Sequence, residues 1–548
     1  RRKMQKLIDE RRFEGKDEKM EIKDGEISVS TPMKDFFRDK NVLITGGTGF
    51  LGRLLVEKLL RVGVSMVYLV VRPKKDQTAE ERIDELSQGA IFDRLRQVDA
   101  NFTDRIQPLE GDLCLPDLGL DRKSLDILEE NIEIVIHAGA DVRFDETLAA
   151  AVQVNIRGTR DILDMAVRMK KLEVFVYVST AYSNCPRREV EEKFYDPPMD
   201  PYKMIELVAK VERGEVSEDV LMTLTPKIIK PWPNTYSYTK ALSEDMVKDY
   251  GERLPIAVVR PSIVIATHSD PFPGWSENVY GLNGILVACS LGLLRALHLR
   301  SDYVGDVIPA DFVSNSVLAV AWLTTKEKSD KVEAEAEKKH PFKTKIYNCT
   351  SSADNPITWG LVNDSMYKIY ECYPPKRGLW INCFTYTRYK FLYTLNVIFY
   401  HVLPSMFLDF IFILGGKKLR LLPVYRKIQK FTEALSYFTT NEWLFFNYNM
   451  RHLYKSLSAE DYDYFPCDVK KMIWLEYIHD YGKGMRRHIG KETLDTLPEG
   501  RKRMFRITIL HNIIKTFFYL FWASAIYFIL VFYRFIEPID FTAMLTRN

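Results

Sequence analysis

The chain of 548 residues is too long for one hydrophobic core, and at about 150 residues per domain it predicts roughly three structural units. Its 77 basic residues nearly balance its 74 acidic ones, and no arginine-rich stripe is interleaved with aromatic residues, which excludes nucleic acid as the expected partner. The seven cysteines are scattered and never spaced as Cys-x-x-Cys, which argues against a disulfide framework or a zinc site. We therefore expect reduced thiols and no metal ion.

The first 28 residues are dense in charges of both signs and carry no secretory signal. This composition predicts a charged, flexible tail over residues 1–36 and a protein that faces the cytosol.

A glycine-rich turn follows this tail. Residues 45–52 read Thr-Gly-Gly-Thr-Gly-Phe-Leu-Gly, after an apolar run at 41–44 and before a helix-like run at 53–60. Glycine at every third position allows a sharp turn from strand to helix and lets a pyrophosphate approach the helix N-terminus. Strand, turn and helix in this order predict a dinucleotide site. The residues that we expect to contact the cofactor here are Thr45, Gly46, Gly49, Phe50, Leu51 and Gly52.

From residue 41 to about residue 325, short apolar runs alternate with amphipathic stretches, which is typical of a doubly wound parallel sheet. The runs are rich in β-branched residues, as in strands that are covered on both faces. The predicted fold class is therefore α/β, with a Rossmann-type domain over 37–360. The predicted strands are 42–45, 67–71, 106–110, 134–137, 174–178 and 256–259.

The end of the second strand decides the choice of cofactor. About 20 residues beyond the glycine turn, an NAD-binding chain usually offers an acid to the ribose hydroxyls. Here Arg72 stands there instead, followed by Lys74 and Lys75. Arginine forms charge-assisted bonds with a 2′-phosphate, and lysine adds Coulomb attraction, so the pattern favours NADPH. A solvated basic loop is the alternative interpretation.

Asp112 and Leu113 follow the third strand, where we expect them to border the adenine. An ordinary Asx turn explains the aspartate nearly as well. After the fifth strand, Ser179 and Thr180 are two candidates for a hydroxyl that polarises the substrate carbonyl, and the sequence does not separate them. A long insertion over 186–234 then interrupts the pattern, and we interpret it as a lid or a substrate wall.

A proton-handling pair opens the next helical run. Tyr236 and Lys240 are four residues apart, which places both on one helix face. Reducing a carbonyl by hydride requires an acid for the developing alkoxide. A tyrosine serves if a neighbouring ammonium stabilises its phenolate. Lys240 is placed to do this and to hold the nicotinamide ribose.

After about residue 360 the alternation gives way to aromatic and amphipathic segments, which predict a smaller, mostly helical domain over 361–505. Residues 516–533 carry no charge and approach the length that spans a bilayer, within a predicted anchoring helix over 506–536 and before a tail over 537–548. Four basic residues precede this stretch, so the positive-inside rule places the catalytic body in the cytosol. A buried core helix is the alternative.

A second apolar segment, 391–414, is interrupted by His401, Pro404 and Asp409. A charge at mid-bilayer costs several kcal/mol, and basic residues flank both ends of the segment. We therefore favour an in-plane or re-entrant element, or a hydrophobic substrate wall, over a single crossing. A helix of the domain core is an equal alternative.

Taken together, these motifs resemble the extended short-chain dehydrogenase/reductases, and within them the fatty acyl-CoA reductases. The resemblance covers nearly the whole chain from residue 40 onward. Superfamily motifs are Ile-His-Ala-Gly-Ala at 136–140, Val-Asn-Ile-Arg-Gly-Thr at 154–159 and Arg-Pro-Ser at 260–262. The more specific stretches are Ala-Asp-Val-Arg-Phe at 140–144, Val-Ser-Thr-Ala-Tyr-Ser-Asn-Cys at 178–185, Pro-Asn-Thr-Tyr at 233–236, Pro-Phe-Pro-Gly-Trp at 271–275 and Tyr-Asn-Cys-Thr at 347–350.

The resemblance implies that a long-chain acyl-CoA is reduced to the fatty alcohol with two NADPH, through an aldehyde that is usually not released. It makes Tyr236 the proton donor and Lys240 its support, with Ser179 or Thr180 at the carbonyl. Asn155 would order the lysine or a bound water. Pro261 and Ile263 join the residues expected at the cofactor.

The residues make this substrate chemically sensible. Hydride does not readily attack a carboxylate, and the chain has neither a Walker-type ATP loop nor the spare length for an acyl-activating domain. The acyl group must therefore arrive activated, as a thioester. Burying an acyl chain gains roughly 0.8 kcal/mol per methylene, so an apolar tunnel can measure chain length. We expect its walls in 270–300 and in the C-terminal domain.

Two alternatives remain at this point. One is another membrane-anchored short-chain dehydrogenase, of the hydroxysteroid dehydrogenase or sugar-nucleotide epimerase type. The other is a dinucleotide-sensing scaffold without activity. The expected partners are acyl-CoA and membrane lipid, and a homodimer is compatible with the sequence. The surfaces of the endoplasmic reticulum, peroxisomes and lipid droplets all suit a cytosol-facing body with a C-terminal anchor.

Overall fold

The computed structural model describes residues 30–74, 77–334, 343–416, 418 and 420–533. The predicted flexible tail over 1–36 is wrong at its end, because Pro32–Phe37 form a helix, α1. Met33 and Phe37 of α1 are fully buried, and the backbone N–H of Met33 donates to the carboxylate of Asp461. This segment is therefore part of the folded body. Residues 1–29, Lys75 and the predicted tail over 537–548 lie outside the described residues.

Seven parallel strands form the central sheet, in the order β3-β2-β1-β4-β5-β7-β11. The predicted doubly wound parallel sheet is confirmed. All six predicted strands are present, and a seventh strand, β11, was not predicted. The strands of this sheet are β1 (Asn41–Thr45), β2 (Met66–Val71), β3 (Ile106–Glu110), β4 (Ile134–His137), β5 (Val174–Val178), β7 (Ile256–Pro261) and β11 (Lys345–Cys349).

Helices cover both faces of the sheet, so successive strand residues enter different cores. Ile44 packs in one core with α2 and α12, whereas Leu43 packs in the other with α5, α7 and α10. The helices between β1 and β11 are α2 (Phe50–Val62), α3 (Ala79–Ser87), α4 (Asp93–Val98), α5 (Arg122–Asn131), α6 (Leu148–Val152), α7 (Gly158–Arg168), α8 (Pro201–Glu212), α9 (Glu218–Ile228), α10 (Thr235–Tyr250), α11 (Leu282–Ser290) and α12 (Ala310–Ala334). A π-helical turn, Gln153–Arg157, joins α6 to α7.

The C-terminal region is mostly helical, as predicted. It shares the core that contains α2 and α12, because Met450, Phe465 and Tyr477 pack in the same hydrophobic cluster as Ile44. Its helices are α13 (Trp359–Cys372), α14 (Lys390–Val397), α15 (Leu403–Leu414), α16 (Leu422–Thr439), α17 (Tyr448–Ser456), α18 (Ala459–Tyr464), α19 (Trp474–Gly484) and α20 (Leu497–Phe532).

Three parallel pairs of short strands lie outside the central sheet, and two of them tie the C-terminal region to the Rossmann-type domain. The pairs are β8 (Ile263–Ile265) with β10 (Val307–Pro309), β9 (Ala296–His298) with β12 (Thr385–Thr387), and β6 (Glu189–Val190) with β13 (Leu444–Phe445).

Within the part of the chain that the structure describes, two helices are long and apolar enough to cross a membrane. The terminal helix, α20, has 36 residues, and none of its most apolar window is buried, so the alternative of a buried core helix is wrong. The surface helix comprises residues 390–414, that is, α14, a π-helical turn and α15. Only 22% of its apolar window is buried, which also contradicts a helix of the domain core.

Candidate functional site

The glycine turn lies between β1 and α2 and has a backbone that only glycine allows. Gly46 has a φ of 74°, in the left-handed region. A Cβ at Gly46 would lie 2.8 Å from the Cα of Gly139, and a Cβ at Gly52 would lie 2.1 Å from the carbonyl oxygen of Gly46. Gly49 precedes α2 and offers no side chain to cap it. The first backbone N–H groups of α2 are therefore available to a pyrophosphate.

The other residues of the turn hold its backbone in place through contacts with the sheet and the hydrophobic core. Thr45 is fully buried, and its hydroxyl lies 2.6 Å from Nδ1 of His137 and accepts a hydrogen bond from Gly139 N. Phe50 stacks on Trp275 with ring centroids 5.1 Å apart, and Leu51 packs against the hydrophobic core. The side chain of Thr45 therefore positions the turn.

Arg72 lies at the end of β2 with its guanidinium exposed and 3.9 Å from the Asp112 carboxylate. The pKa of Arg82 is lowered, first by burial and then by the positive charges of Arg72 and Arg53. Arg53 is paired with Glu277, and Glu85 opposes the lowering at Arg82, so Arg72 is the exposed guanidinium of this group that a bound anion could reach beside the glycine turn. Lys74 pairs with Gln77 in an isolated bridge.

Asp112 does form the Asx turn that the sequence left as an alternative, because its Oδ1 accepts from the backbone N–H of Cys114 at 3.0 Å. Leu113 lies behind the glycine turn, since a Cβ at Gly139 would come within 2.6 Å of its Cδ1. Both residues therefore lie in the same corner of the sheet as the turn.

Tyr236 and Lys240 both belong to α10, which Asn234 caps through a hydrogen bond to Ser237 N. Burial raises the pKa of Tyr236 to about 12, and a hydrogen bond with Thr180 opposes part of this rise. The ring of Phe144 stacks on Tyr236 at 6.1 Å. The phenol is thus protonated at neutral pH and lies beside one of the two predicted hydroxyls.

The ammonium of Lys240 is buried and donates to two groups of β5, the Tyr177 hydroxyl at 3.1 Å and the Val178 carbonyl at 2.8 Å. Burial lowers the pKa of Lys240 to about 7, against the opposing effect of the Glu244 carboxylate. In the described part of the chain these hydrogen bonds go to β5 and not to Tyr236. Lys240 therefore titrates near neutral pH.

The structure separates Ser179 from Thr180. The hydroxyl of Ser179 donates to Glu244 Oε1 at 2.5 Å, and Ser183 donates to the same oxygen at 3.0 Å. Arg260 binds both oxygens of this carboxylate, at 2.9 and 2.6 Å, and is fully buried. Ser179 is thus held in a buried charge network, whereas Thr180 faces Tyr236. Thr180 also caps the short helix that follows it, by accepting from Tyr182 N.

Asn155 lies in the π-helical turn after α6 and was expected to order the lysine or a water. Its side-chain oxygen accepts from Asp141 N at 2.8 Å, and its amide donates to the Asp141 carbonyl and to Thr239. These contacts tie the loop after β4 to α10. No hydrogen bond joins Asn155 to Lys240 within the described residues, so the structure supports a positional part for Asn155.

An apolar cavity of about 440 Å³ opens beside Tyr236. Phe144 and Ile263 line it next to the tyrosine. Ile263 comes two residues after Pro261, the last residue of β7. The remaining walls come mostly from α11, β9, α13, α16, residues 373–384 and residues 482–492. These are the two regions in which the sequence predicted a tunnel. No residue of the 186–234 insertion lines this cavity, so the interpretation of that insertion as a substrate wall is wrong.

The insertion packs elsewhere. Its helices α8 and α9 contact α6, the following π-helical turn and α10, and Trp232 donates to the Ser183 carbonyl at 2.7 Å. It thus buttresses the loop that carries Ser179 and Thr180. Sequence reasoning missed this role, as it missed the Lys240 contact of Tyr177 and the Glu244–Arg260 pair. The one available signal was a single arginine in an otherwise apolar strand, which requires a buried partner.

Several known proteins are similar to the chain over most of its length. Residues 44–317 match a family model described as male sterility protein, and residues 400–492 match a second model with the same description. The chain is 35% identical over 507 residues to fatty acyl-CoA reductase wat of Drosophila melanogaster, which covers 92% of this chain and 95% of that protein. It is 36% identical over 481 residues to fatty acyl-CoA reductase 1 of Homo sapiens, which covers 87% and 90%.

Among solved structures, the terminal R domain from the myxalamid PKS-NRPS biosynthetic pathway superposes with a TM-score of 0.53 at 18% identity, covering 83% of this chain and 93% of that domain. The reductase (R) domain of a nonribosomal peptide synthetase from Mycobacterium tuberculosis superposes with a TM-score of 0.52 at 19% identity, covering 85% and 95%. At this level of identity the likeness concerns the fold. The region matched over 400–492 supplies part of the apolar cavity wall.

Proposed function

This chain belongs to the fatty acyl-CoA reductase family and reduces a fatty acyl-CoA to the fatty alcohol with a nicotinamide dinucleotide, and we propose that NADPH is this dinucleotide and that Tyr236, Lys240 and Thr180 carry out the proton chemistry. One observation carries the proposal. Tyr236 lies in the wall of the apolar cavity, and the neighbouring Thr180 hydroxyl acts to lower the pKa of its phenol against the rise that burial causes. A carbonyl at that point would meet an acid and a hydroxyl, with space for an apolar chain behind it.

The reaction requires two reductions. Each NADPH, when bound, would supply one hydride, so two cofactor molecules would serve in turn, the first for the thioester carbon and the second for the aldehyde carbon, with Tyr236 reprotonated from solvent between them. In each reduction the carbonyl oxygen becomes an alkoxide that takes the phenolic proton of Tyr236. After the first reduction the C–S bond of the tetrahedral product breaks, which releases CoA as the thiol and leaves the aldehyde. The aldehyde then stays in the apolar cavity for the second reduction.

Thr180 and Lys240 assist the acid in different ways. The Thr180 hydroxyl lies near the same phenol and would polarise the substrate carbonyl. A charged Lys240 on the same helix face would lower the pKa of Tyr236 toward neutrality, which makes it a better proton donor. We leave Ser179 out of this set because its hydroxyl donates to Glu244. We assign it to the support of the loop after β5.

The preference for NADPH is supported by the charges around the glycine turn. Arg72 is exposed at the end of β2, and its charge and that of Arg53 both act on Arg82. A 2′-phosphate would relieve this repulsion and accept charge-assisted hydrogen bonds. The turn itself fits a dinucleotide, because a Cβ at Gly46 or Gly52 would fill the space that its backbone requires.

We also propose that the terminal helix anchors the body to a membrane. Its first turns are tied to the body, since Arg503 donates to the Gly378 carbonyl at 2.7 Å and Trp380 donates to His511 at 3.1 Å. Beyond Lys515 the helix is uncharged and exposed to its end at Phe532. These residues cover about 26 Å at 1.5 Å per residue, close to the thickness of a hydrocarbon core.

The orientation follows from the charges on the body side of this stretch. Basic residues cluster at 501–503, 506 and 515, and the positive-inside rule keeps such clusters in the cytosol. The catalytic body would then face the cytosol, where the proposed NADPH and acyl-CoA are both soluble.

Product analysis tests the proposed chemistry. The full-length protein in detergent is incubated with palmitoyl-CoA and NADPH, and lipid products and free CoA thiol are measured together. We expect hexadecanol, with two NADPH oxidised for each thiol released, and aldehyde only when a trapping amine is added. Equal turnover with NADH would contradict the cofactor assignment. Absence of both aldehyde and alcohol would contradict the proposal as a whole.

The same experiment distinguishes other short-chain dehydrogenase activities. A sugar-nucleotide epimerase needs polar groups to bind its substrate, whereas the wall beside Tyr236 consists of Phe144, Ile263, Leu282 and other apolar residues. A hydroxysteroid or a sugar nucleotide offered in place of palmitoyl-CoA is therefore expected to give no NADPH oxidation.

A further inference from the structure

The surface helix presents opposite chemistry to the body and to its surroundings. Every fourth residue along it is buried, and the opposite face is exposed. In a regular α-helix a four-residue spacing drifts by about 40° per step, and the π-helical turn Ile398–Val402 offsets part of this drift, so the buried residues follow one side of the helix. The buried stripe consists of Tyr393, Val397, His401, Ser405 and Asp409.

Most of the polar groups of this stripe are bonded to the catalytic body. Tyr393 shares a hydrogen bond of 3.1 Å with Thr432 of α16. The Nε2 atom of His401 accepts from the backbone N–H of Arg295 at 2.9 Å. Asp409 accepts from Leu421 N and Leu422 N, at 2.5 and 3.0 Å. The surface helix is therefore fixed lengthwise to the body by its polar side.

The other side of the surface helix is apolar and uncovered. Phe391 and Leu414, at its two ends, are each 72% exposed, and Phe407 is 65% exposed. Exposed apolar side chains along a whole helix would promote aggregation in water. Apolar patches of this size mark interaction surfaces. Further exposed residues on the helix are Leu392, Ile398, Phe399, Tyr400, Leu403, Met406, Leu408, Phe410, Ile411 and Ile413.

The surface helix is long enough to cross a bilayer, at about 37 Å for 25 residues. A crossing is nevertheless incompatible with its contacts. The stripe binds β9, α16 and the loop after α15 along the whole helix, so a perpendicular helix would carry these parts of the body into the hydrocarbon. Exposed basic residues also stand at both ends, namely Arg388, Lys390, Lys418 and Arg420. Basic residues at both ends match a helix that lies in the plane of an anionic surface.

Arg295 links the surface helix to the terminal helix. The backbone N–H of Arg295 binds His401, and its guanidinium lies over the ring of Trp380 at 5.5 Å. Trp380 in turn donates to His511 of the terminal helix. The surface helix and the proposed anchor are thus joined through Arg295 and Trp380, and both have exposed apolar faces, so we assign the same bilayer as the occupant of both.

The surface helix also covers the wall of the apolar cavity. It packs on β9 and α16, and these elements contribute Leu297 and Leu435 to the cavity lining. One layer of structure thus separates the exposed apolar face from the space assigned to the acyl chain.

We propose that the surface helix is embedded in the plane of the membrane interface, with its apolar face in lipid, and that it holds the apolar cavity at the surface from which long acyl-CoA substrates are delivered. This inference rests on the acyl-CoA substrate and the membrane anchor proposed above. It assigns to residues 390–414 a lipid-binding surface separate from the terminal helix. The polar stripe fixes its depth, because it keeps the helix parallel to the body.

Depth-dependent quenching tests the position of the surface helix without using activity. Full-length protein carrying a fluorophore at an introduced cysteine is reconstituted into vesicles of phosphatidylcholine and phosphatidylserine, and the signal of the labelled original chain is subtracted. Labels at Phe399→Cys, Phe407→Cys and Leu414→Cys are expected to be quenched by lipids with shallow nitroxides, all to a similar extent. A label at Phe521→Cys in the terminal helix is expected to require deep nitroxides, and one at Val220→Cys, exposed on α9, is expected to escape both.

The outcomes separate the two membrane proposals. A depth that changes steadily from position 399 to position 414, or no quenching at any of the three positions, would overturn the in-plane helix. Loss of quenching at position 521 alone would overturn the anchor and leave the surface helix standing.

Kinetics test the consequence for substrate delivery. The double variant Phe399→Asp with Phe407→Asp is expected to raise the KM for vesicle-bound palmitoyl-CoA by about tenfold, since two large apolar side chains leave the lipid. Its kcat, and its kcat/KM for the water-soluble octanoyl-CoA, are expected to stay unchanged. Val220→Asp is the matched control and is expected to change neither. An unchanged KM for palmitoyl-CoA, or an equal loss with both substrates, would overturn the proposal.

Discussion

The buried ammonium of Lys240 donates a hydrogen bond of 3.1 Å to the hydroxyl of Tyr177, on the strand that leads directly into Ser179 and Thr180. The proposed catalytic helix and the proposed carbonyl-polarising loop are thereby joined through the sheet. A buried lysine needs such partners, because burial alone would remove its proton near pH 7.

Replacing Tyr177 by phenylalanine is expected to weaken Lys240 as a base. The variant keeps the buried ring but removes a hydrogen-bond partner of the ammonium, so the pKa of Lys240 falls further, by about one unit for a loss near 1.4 kcal/mol. The measurement is the pH profile of kcat/KM with palmitoyl-CoA. Tyr347→Phe, at another buried tyrosine of the same sheet, is the control and is expected to leave the profile in place. An unmoved profile in Tyr177→Phe would contradict a positioning role.

The wild-type enzyme is expected to lose activity as pH rises through about 7. Lys240 is charged below its lowered pKa and neutral above it, whereas Tyr236 keeps its proton up to about pH 12. The alkaline limb of kcat/KM at limiting NADPH should therefore report the lysine and not the tyrosine. Lys240→Arg, which stays charged, is expected to lose this limb at a lower overall rate. A wild-type profile that is flat from pH 6 to pH 9 would exclude a charged Lys240 from catalysis.

Substitutions of Ser179 and Thr180 are expected to change different quantities, namely the free energy of unfolding for Ser179 and kcat for Thr180. Thr180→Val removes the hydroxyl beside Tyr236 and should lower kcat by about 10²–10³. Ser179→Ala removes a hydrogen bond to the buried Glu244 and should lower the free energy of unfolding by about 1.5–3 kcal/mol. Steady-state kinetics and thermal unfolding of both variants check this division. The opposite pattern, with Ser179→Ala inactive at full stability, would return Ser179 to the catalytic set.

Arg72 is expected to set the preference between the two nicotinamide cofactors. Arg72→Glu places a carboxylate where the 2′-phosphate is proposed to bind, so the KM for NADPH should rise by about tenfold or more. The KM for NADH should change far less. Arg122→Glu, at an exposed arginine of α5, is the charge-matched control. Equal changes in the KM for NADPH and in the KM for NADH in Arg72→Glu would contradict binding of the 2′-phosphate by Arg72.

Much of the fold was readable from the sequence, because the signals were local. Five of the six predicted strands are apolar runs that are mostly buried, and β3, at the edge of the sheet, exposes Gln107 and Glu110. The close contacts of Gly49 and Gly52 lie within the turn, whereas Gly46 also approaches Gly139. The strand β11 was missed because it contains Lys345 and Asn348. The side chain of Asn348 is satisfied by the carbonyls of Val190 and Phe446, which come from distant parts of the chain.

The prediction of the candidate site was limited in the same way, to features that lie close together in the sequence. The four-residue spacing identified Tyr236 and Lys240, since helix geometry fixes which residues share a face. Nothing local distinguished Ser179 from Thr180, because the difference is made by Glu244, 65 residues away, and by Arg260 beyond it. The insertion over 186–234 was assigned to the substrate for lack of any long-range contact. In the fold it packs against the loop that carries Ser179 and Thr180.

The central claim is that Tyr236 donates the proton in a reduction of acyl-CoA. Tyr236→Phe keeps the ring that stacks on Phe144 and removes only the hydroxyl. The measurement is NADPH oxidation with palmitoyl-CoA under saturating conditions, alongside NADPH binding followed by fluorescence. The account predicts a fall in kcat of about 10²–10⁴ with cofactor binding retained. Turnover of Tyr236→Phe at the wild-type rate would contradict it.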